Sequence, residues 1–521
     1  MKHLWIPAIV CILFSIFACT KRIPQPDRFL DVDKNTVAFG GNADSRDTIF
    51  ISSNDEWAVV IKQDVDWLTV TPSSGTGDGM IVISATANMN TVRRTTNIEV
   101  KSGSNTELIT VLQLQLNETI VNAVFGGEAN DSFNDITTTP DGGFIAVGAS
   151  SSMEGDGTGG KGGQDVWIVK FNSEGNKLWH KKFGGTQDDA ANSIVRVSAD
   201  KYLVLATTLS TDGDVTNNKG DRDAWLMSID GEGNLQWQKT IGGSAEDRLY
   251  NLKIAGGGNF LMVGWTHSSD GDVSDNAGDA DAWIVSVDGD GNIVWEETYG
   301  GTKEDRAYDV TPVSDGGYIF CGGLLSADGD AADNTSPAFA TWIVKLNAAR
   351  AIGGKVYLGE SEFDYGTVVL EASNGDYVIA GQTGSSSFDN YHAGKDIFIC
   401  RLDGAGSIRW KKAYGGNLSD EPGDLVETDS GDFVIGGLTT SEDGDVDNNS
   451  GGEDAWLFRI NGDGDIVNSL LVGGEADDGI KKIIKLNNTH FAFVGLSGSY
   501  EDAYPDITEA IHGWFHVVSL P

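Results

Sequence analysis

The stretch Gly242-Gly243-Ser244-Ala245-Glu246-Asp247 sets a glycine doublet with an aspartate five residues after its first glycine. The pattern returns at Gly126-Gly127/Asp131, Gly184-Gly185/Asp189, Gly300-Gly301/Asp305, Gly359/Asp364, Gly415-Gly416/Asp420 and Gly473-Gly474/Asp478, the first glycines stepping by 58, 58, 58, 59, 56 and 58 residues. A fixed period of this size marks one supersecondary unit repeated seven times along the C-terminal four-fifths of the 521-residue chain. A residue found in every unit is first of all one that the unit needs in order to fold.

Within the third unit four apolar runs stand out: Leu249 to Ile254, Phe260 to Trp265, Ala282 to Val287 and Asn292 to Thr298. Each is of strand length and rich in β-branched and aromatic residues. Gly256-Gly257-Gly258-Asn259 and Asp288-Gly289-Asp290-Gly291 supply tight turns between the first and second and between the third and fourth runs. The other two joints are longer and polar. Four antiparallel strands repeated seven times predict a seven-bladed β-propeller.

Trp167, Trp225, Trp283, Trp342, Phe398, Trp456 and Trp514 hold one place in the third strand, and Trp179, Trp237, Trp295 and Trp410 one place in the fourth. Rings of this size at a fixed repeat position read as packing between sheets. The last repeat lacks a fourth strand, since the sequence ends at Pro521, whereas Glu118 to Val124 is a spare strand-like run ahead of the first doublet. That run is expected to complete the seventh blade and close the ring, removing an exposed edge. In such a meander both long joints of every repeat lie at one end, where loops on a rigid scaffold can bind.

Residues 1–18 read as a signal peptide: Met1-Lys2-His3, then an apolar stretch from Leu4 to Ala18 too short for a bilayer span. Ile16-Phe17-Ala18-Cys19 resembles the lipobox of bacterial lipoproteins, with Phe17 where a small residue is commoner. The resemblance implies lipidation of Cys19, a tether over 19–30 and membrane attachment through the lipid alone, in the cell envelope at the outer membrane. Lys21 and Arg22 are not the acidic residues of a surface-export signal, so the surface and the periplasmic side both stay open.

Residues 31–115 lack the glycine period. Trp57, Asp66-Trp67-Leu68-Thr69-Val70-Thr71-Pro72, Gly75, Asn88, Arg93-Arg94 and Gln113 make this segment resemble the BACON domain, an immunoglobulin-like module of surface proteins in Bacteroidetes-type bacteria. The resemblance implies an N-terminal sandwich and carbohydrate-related binding. A spacer needs no ligand, and the two tryptophans are spaced as core residues. The fold class is therefore all-β, this sandwich being followed by the propeller over 116–521. The repeats, with Asp141-Gly142-Gly143 and Asp315-Gly316-Gly317, resemble those of bacterial and archaeal surface proteins of undefined activity.

Lys and Arg number 36 against 77 Asp and Glu, a balance of −41. Such a body repels phosphate backbones and excludes nucleic acid as a partner. Neutral glycans, cations and basic envelope-protein surfaces remain, and a monomer is expected. Cys321 and Cys400 read as buried thiols.

One constellation could hold a cofactor. The second-to-third loop is spelled Asp212-Gly-Asp214-Val-Thr-Asn-Asn218, Asp270-Gly-Asp272-Val-Ser-Asp-Asn276 and Asp443-Gly-Asp445-Val-Asp447-Asn-Asn449, with Asp223, Asp281 and Asp454 eleven residues after each first aspartate. Oxygen donors at 1, 3, 5, 7 and 12 resemble EF-hand-like calcium loops, and these residues are the candidate calcium ligands. Asp and Asn can equally cap their own backbone as Asx turns. The acid at 12 can also tie the third strand to its neighbour. Repeats four and five break the spelling, with Ala340 at 12 in one and Ser387-Phe388-Asp389 in the other. The aspartate after each doublet is expected to accept backbone N–H bonds at the start of the first strand.

No histidine pairs with a nucleophile or shows zinc spacing; His267, His392 and His512 fall near the long-loop end. The sequence thus predicts a binding lipoprotein for a glycan or envelope protein rather than an enzyme, with calcium ordering its loops. A carbohydrate-active enzyme using the funnel near repeats four and five, and a purely structural role, are the alternatives.

Overall fold

The computed structural model describes residues 28–39, 45–63, 65–86, 88, 94–113, 118–336, 338–360, 364–446, 449, 451–499 and 510–520. Residues 1–27, with Cys19, and also Arg93 and Asp447 lie outside them. Among the described residues the chain is all-β, with two single-turn 3-10 segments, Gly155–Gly157 and Gly329–Ala331. Among the described residues no helix is long and apolar enough to cross a membrane. The chain divides into two compact units.

The N-terminal unit is a two-sheet sandwich. One sheet runs in the order Leu30–Val32, Ser45–Ser53, Gly79–Ala85, Leu68–Thr71; the other in the order Thr36–Phe39, Asn105–Gln113, Arg94–Ser102, Glu56–Ile61, Ser74–Thr76. Alternation along Gly79–Ala85 buries Ile81 and Ile83 between the sheets. Trp57 and Trp67 join the same core at 4% and 6% exposure. Trp57 Nε1 donates to the Gly77 carbonyl at 2.8 Å. Gly75 lies under that indole, 2.6 Å from Cε2 for any added Cβ, so these two residues of the resemblance make one packing contact.

The C-terminal unit follows the repeat. Among the described residues it contains seven four-stranded antiparallel sheets, each in chain order from first to fourth strand except the last. In the third repeat the strands are Asp247–Gly256, Asn259–Thr266, Asp281–Val287 and Ile293–Tyr299. The last sheet consists of Asp478–Lys485, His490–Ser497, His512–Ser519 and, from the far end of the unit, Glu118–Phe125. That fourth strand pairs Asn122 with His516 and Val124 with Trp514. Trp514 Nε1 donates to Asn122 Oδ1 at 2.7 Å.

Burial explains the composition. The second and third strands of each sheet are covered on both faces and read as continuous apolar runs. Trp167, Trp225, Trp283, Trp342, Trp456 and Trp514 are at most 1% exposed, so they pack sheet against sheet as their repeat position predicts. First strands pack on first strands in succession, and Asp131–Thr138 packs on Asp478–Lys485. Every first strand carries a β-bulge three residues after the doublet's aspartate. The skipped residue is Asn134, Asn192, Tyr250, Tyr308, Thr367, Gly423 or Lys481. A bulge re-aims the side chain it carries.

Candidate functional site

The long-loop end is built on the doublets. Asp189 Oδ2 accepts the Gly185 N–H at 2.8 Å and the Ser210 hydroxyl at 2.8 Å, and Thr208 donates to its other oxygen. Asp247 repeats this with Gly243, Ser268 and Thr266. Asp131, Asp305, Asp420 and Asp478 likewise take the N–H of the doublet's second glycine. The repeated aspartate is thus a buried acceptor that fixes the start of each first strand, as its position predicts.

The loop acids named as calcium ligands are distributed over several partners. The first aspartate of each loop reaches the residue after its own doublet: Asp212 accepts Thr186 N–H at 2.8 Å, Asp270 accepts Ser244 N–H at 2.7 Å, and Asp443 accepts Asn417 N–H at 2.7 Å. Asp214 and Asp272 accept the first doublet N–H, of Gly184 and Gly242, each at 3.1 Å; Asp445 takes that of Gly415 at 3.3 Å. Asn218, Asn276 and Asn449 donate to the carbonyls of Ser210, Thr266 and Thr439. The acids at position 12 go elsewhere, to the doublet of the next repeat, where Asp223, Asp281 and Asp454 meet Gly242, Gly300 and Gly473. Positions 1 and 3 therefore share one doublet, and position 12 belongs to another. Among the described residues no three His, Cys, Asp or Glu side chains gather in an arrangement that could hold a metal ion.

Two of the position-12 acids, Asp223 and Asp281, are buried with one oxygen served. Asp223 Oδ2 accepts Lys219 N–H and Asp281 Oδ2 accepts Ala277 N–H, both at 2.7 Å, while each Oδ1 has no hydrogen-bond partner. Burial, with the next repeat's Asp247 or Asp305 adding repulsion, pushes each carboxyl up to about 6. Burial raises Asp396 in the same way, to about 7, with Asp420 adding to it. His512 holds this place in the last repeat, its Nδ1 beside Asp131 across Gly126, and burial lowers its pKa.

What departs from the repeat lies on the bulged first strands of repeats three to five. One residue after the doublet's aspartate stand Ser132, Ala190, Arg248, Arg306, Tyr365, Glu421 and Gly479; three residues after it, the skipped positions include Tyr250 and Tyr308. The ring centroids of Tyr250 and Tyr308 are 5.7 Å apart, as are those of Tyr308 and Tyr365. All three phenols are half-buried. Trp265, buried behind them, donates Nε1 to the Tyr250 hydroxyl at 3.0 Å. The guanidinium carbons of Arg248 and Arg306 lie 5.4 and 5.0 Å from the Trp265 ring, within cation–π range. Glu246 holds Arg248 at 2.7 Å and Glu304 holds Arg306.

Burial raises the Tyr308 hydroxyl's pKa, opposed by Arg306, and burial raises Tyr365 with Glu421 adding to it. Tyr308 and Tyr365 are therefore held as neutral donors and acceptors at physiological pH. His267 closes one side, its ring 4.9 Å from Trp265 and Nε2 3.5 Å from Asp279. The patch offers flat apolar faces, hydroxyls and two guanidinium groups at the end that carries the long loops, the combination that orients a polar ligand with apolar faces. Of these side chains the sequence singled out only His267, and reading it for shared residues missed the tyrosines, the arginines and Trp265 as a site. The seven repeats serve as an internal alignment, and the signal was where they disagree.

One residue beyond the bulge, a polar belt ties the first strands together. Asp135 Oδ2 accepts Ile194 N–H at 2.8 Å, Asp309 Oδ2 accepts Val369 N–H at 2.9 Å, and Asp424 Oδ2 accepts Ile483 N–H at 3.0 Å. Lys253 Nζ donates to Asp309 at 2.6 Å and Lys482 Nζ to Asp424 at 3.2 Å. Burial penalises the Lys482 ammonium, but Asp424, Asp135 and Asp309 together hold its pKa above the usual lysine range.

Comparison with known proteins bears out the BACON resemblance. Residues 56–114 match the family described as "BACON: Putative binding domain, N-terminal". Regulatory protein FlaEY of Caulobacter vibrioides is 22% identical over 370 residues, covering 63% of this chain and 38% of that protein. This chain thus spans well under half of that relative. Similar solved structures include a Quinonprotein alcohol dehydrogenase-like protein from Bacteroides thetaiotaomicron, with 10% identity, TM-score 0.32 and coverage of 84% of this chain and 94% of that one. A member of the duf4221 family from Bacteroides vulgatus gives 10% identity, TM-score 0.32 and coverage of 61% and 90%.

Proposed function

We infer that the C-terminal unit is a seven-bladed propeller closed by Glu118–Phe125, and that its long-loop end binds a glycan at the mouth of the central funnel. Support for closure comes from the pairing of Asn122 with His516 and from the field of Asp135, in the first repeat, at Lys482 in the seventh. The arc Tyr250–Tyr308–Tyr365 backed by Trp265 carries the binding reading. Sugar rings present one apolar face and a rim of hydroxyls. Half-buried phenols spaced 5.7 Å apart answer the face, and the guanidinium groups and phenolic hydroxyls answer the rim. The sandwich serves as a spacer, since Trp57 and Trp67 are spent in its core. Lipidation of Cys19 would tether the whole chain to the envelope membrane.

The loop acids are staples in this reading. Carboxylate oxygens that would coordinate calcium accept N–H groups of the doublet and of the residue after it, Gly184 to Asp214 and Thr186 to Asp212. The test for function is affinity electrophoresis through gels of neutral polysaccharides, with the size distribution of each polysaccharide followed in parallel. Retardation without shortening supports binding. Shortening would establish the enzyme alternative, and neither effect on any polysaccharide would leave the structural role.

A further inference from the structure

The fourth-strand tryptophans have a fixed seat. Trp179, Trp237, Trp295 and Trp410 each take the third position of their strand and lie against the third-to-fourth hairpin of the next sheet. A Cβ added to Gly233 would stand 2.8 Å from the Trp179 ring, one on Gly291 2.6 Å from Trp237, and one on Gly464 3.1 Å from Trp410. Arg350 occupies the hairpin place beyond Trp295, its guanidinium 5.2 Å from that ring. Where the fourth strand is Glu118–Phe125, Val121 covers Gly175 at 2.5 Å by the same measure.

One junction has the hairpin and no cover. In Ile352–Leu358 the third position is Gly354, and the hairpin glycine it should face, Gly406, has nothing within 4 Å of an added Cβ. Gly175, Gly233, Gly291 and Gly464 are buried, whereas Gly406 is partly open and Gly354 exposed. The result is a crevice of about 120 Å³ between the fourth and fifth sheets, its floor formed by Ile319, Ile343, Val356, Tyr377 and Leu402. Lys345 stands on its rim, 5.5 Å from the Tyr377 ring and 2.6 Å from Asp315.

We propose that this crevice binds the indole of a tryptophan carried by a partner protein. The space is the place an indole fills at four equivalent junctions of the same scaffold, with a cation at the rim to meet the ring face. The tryptophans among the described residues are each buried or wedged against their own neighbour, so none of these is free to supply the group to a second copy. A protein partner is favoured over a free aromatic molecule because the crevice opens beside Ile352–Leu358, an outermost strand with one side unpaired, along which an extended segment can align.

Saturation-transfer NMR on the full chain tests this, with the capped peptide Gly-Ser-Trp-Ser-Gly, its Trp-to-Ala analogue and N-acetyl-tryptophanamide as probes. The Trp peptide is expected to bind, the Ala analogue not, and the peptide more tightly than N-acetyl-tryptophanamide. Gly354→Trp should weaken peptide binding at least tenfold while raising Tm, and Gly354→Arg gives an independent block. Trp237→Gly should open a second crevice and roughly double the bound peptide. Equal binding by wild type and a folded Gly354 variant overturns the proposal, as does a Trp237→Gly protein with no added capacity. Tighter binding of N-acetyl-tryptophanamide than of the peptide overturns the protein partner.

Discussion

Asp223 and Asp247, from consecutive repeats, each set a carboxylate oxygen against Gly242: an added Cβ there would collide with Asp223 Oδ1 and stand 2.8 Å from Asp247 Oδ2. Both side chains are fully buried. Asp247 has donors for both oxygens, whereas Asp223 Oδ1 has none. The same pairing joins Asp281 to Asp305 across Gly300. Two carboxylates on a small gap leave one of them costly to ionise.

The sign of the resulting pH dependence follows from that. With a folded-state value of about 6 against an ordinary 3.8, Asp223 binds a proton more readily folded than unfolded. Its contribution to stability is fully present below about pH 4 and is lost as pH rises through 6. Asp223→Asn keeps an acceptor for Lys219 N–H and removes the charge. The variant should be more stable than wild type at pH 8, by about 1–3 kcal/mol, with the difference vanishing near pH 4. Chemical denaturation of both proteins across that range checks it.

Lys482 is, with Lys253, a cation of the belt, and it faces Asp424, Asp135 and Asp309. Lys482→Met leaves Asp424 without its counter-charge while Asp309 keeps Lys253, and unpairing a buried carboxylate costs about 2–4 kcal/mol. Thermal melting should show a clear drop, and the double variant Lys482→Met/Asp424→Asn should recover part of it.

The loop carboxylates bear on calcium directly. If Asp212, Asp214 and their counterparts are staples, Tm is unchanged between EDTA and millimolar calcium. A rise of several degrees in calcium would instead mean that the cation binds the folded state selectively.

Closure predicts a pattern of amide exchange. Glu118–Phe125 should exchange as slowly as Ile293–Tyr299, because each is the fourth strand of its sheet. Fast exchange confined to 118–125 would mean that the seventh sheet stands open.

The scaffold was legible because it is periodic. Glycines and an aspartate at a 58-residue step, four apolar runs and a tryptophan at one strand position leave few ways to bury the apolar faces. Trp57 and Gly75 were legible as residues of the BACON resemblance, whereas their contact was not. The loop acids were legible as oxygen donors but not as to what they serve, since the same lone pairs accept an N–H bond or bind a cation. Tyr250, Tyr308 and Tyr365 were hidden for another reason. They lie 58 and 57 residues apart, are brought side by side only by packing between sheets, and at Tyr250 and Tyr308 are turned by a bulge that no sequence periodicity marks. Gly354 was equally silent, because a missing tryptophan matters only once its seat on Gly406 is known.

The central claim is that the tyrosine arc holds a glycan, and Tyr308, between the other two rings, is its most direct test. With a polysaccharide that retards the wild-type protein, calorimetric titration of Tyr308→Ala should show affinity reduced at least tenfold in a protein that still melts cooperatively. Equal affinities for wild type and Tyr308→Ala would contradict the account.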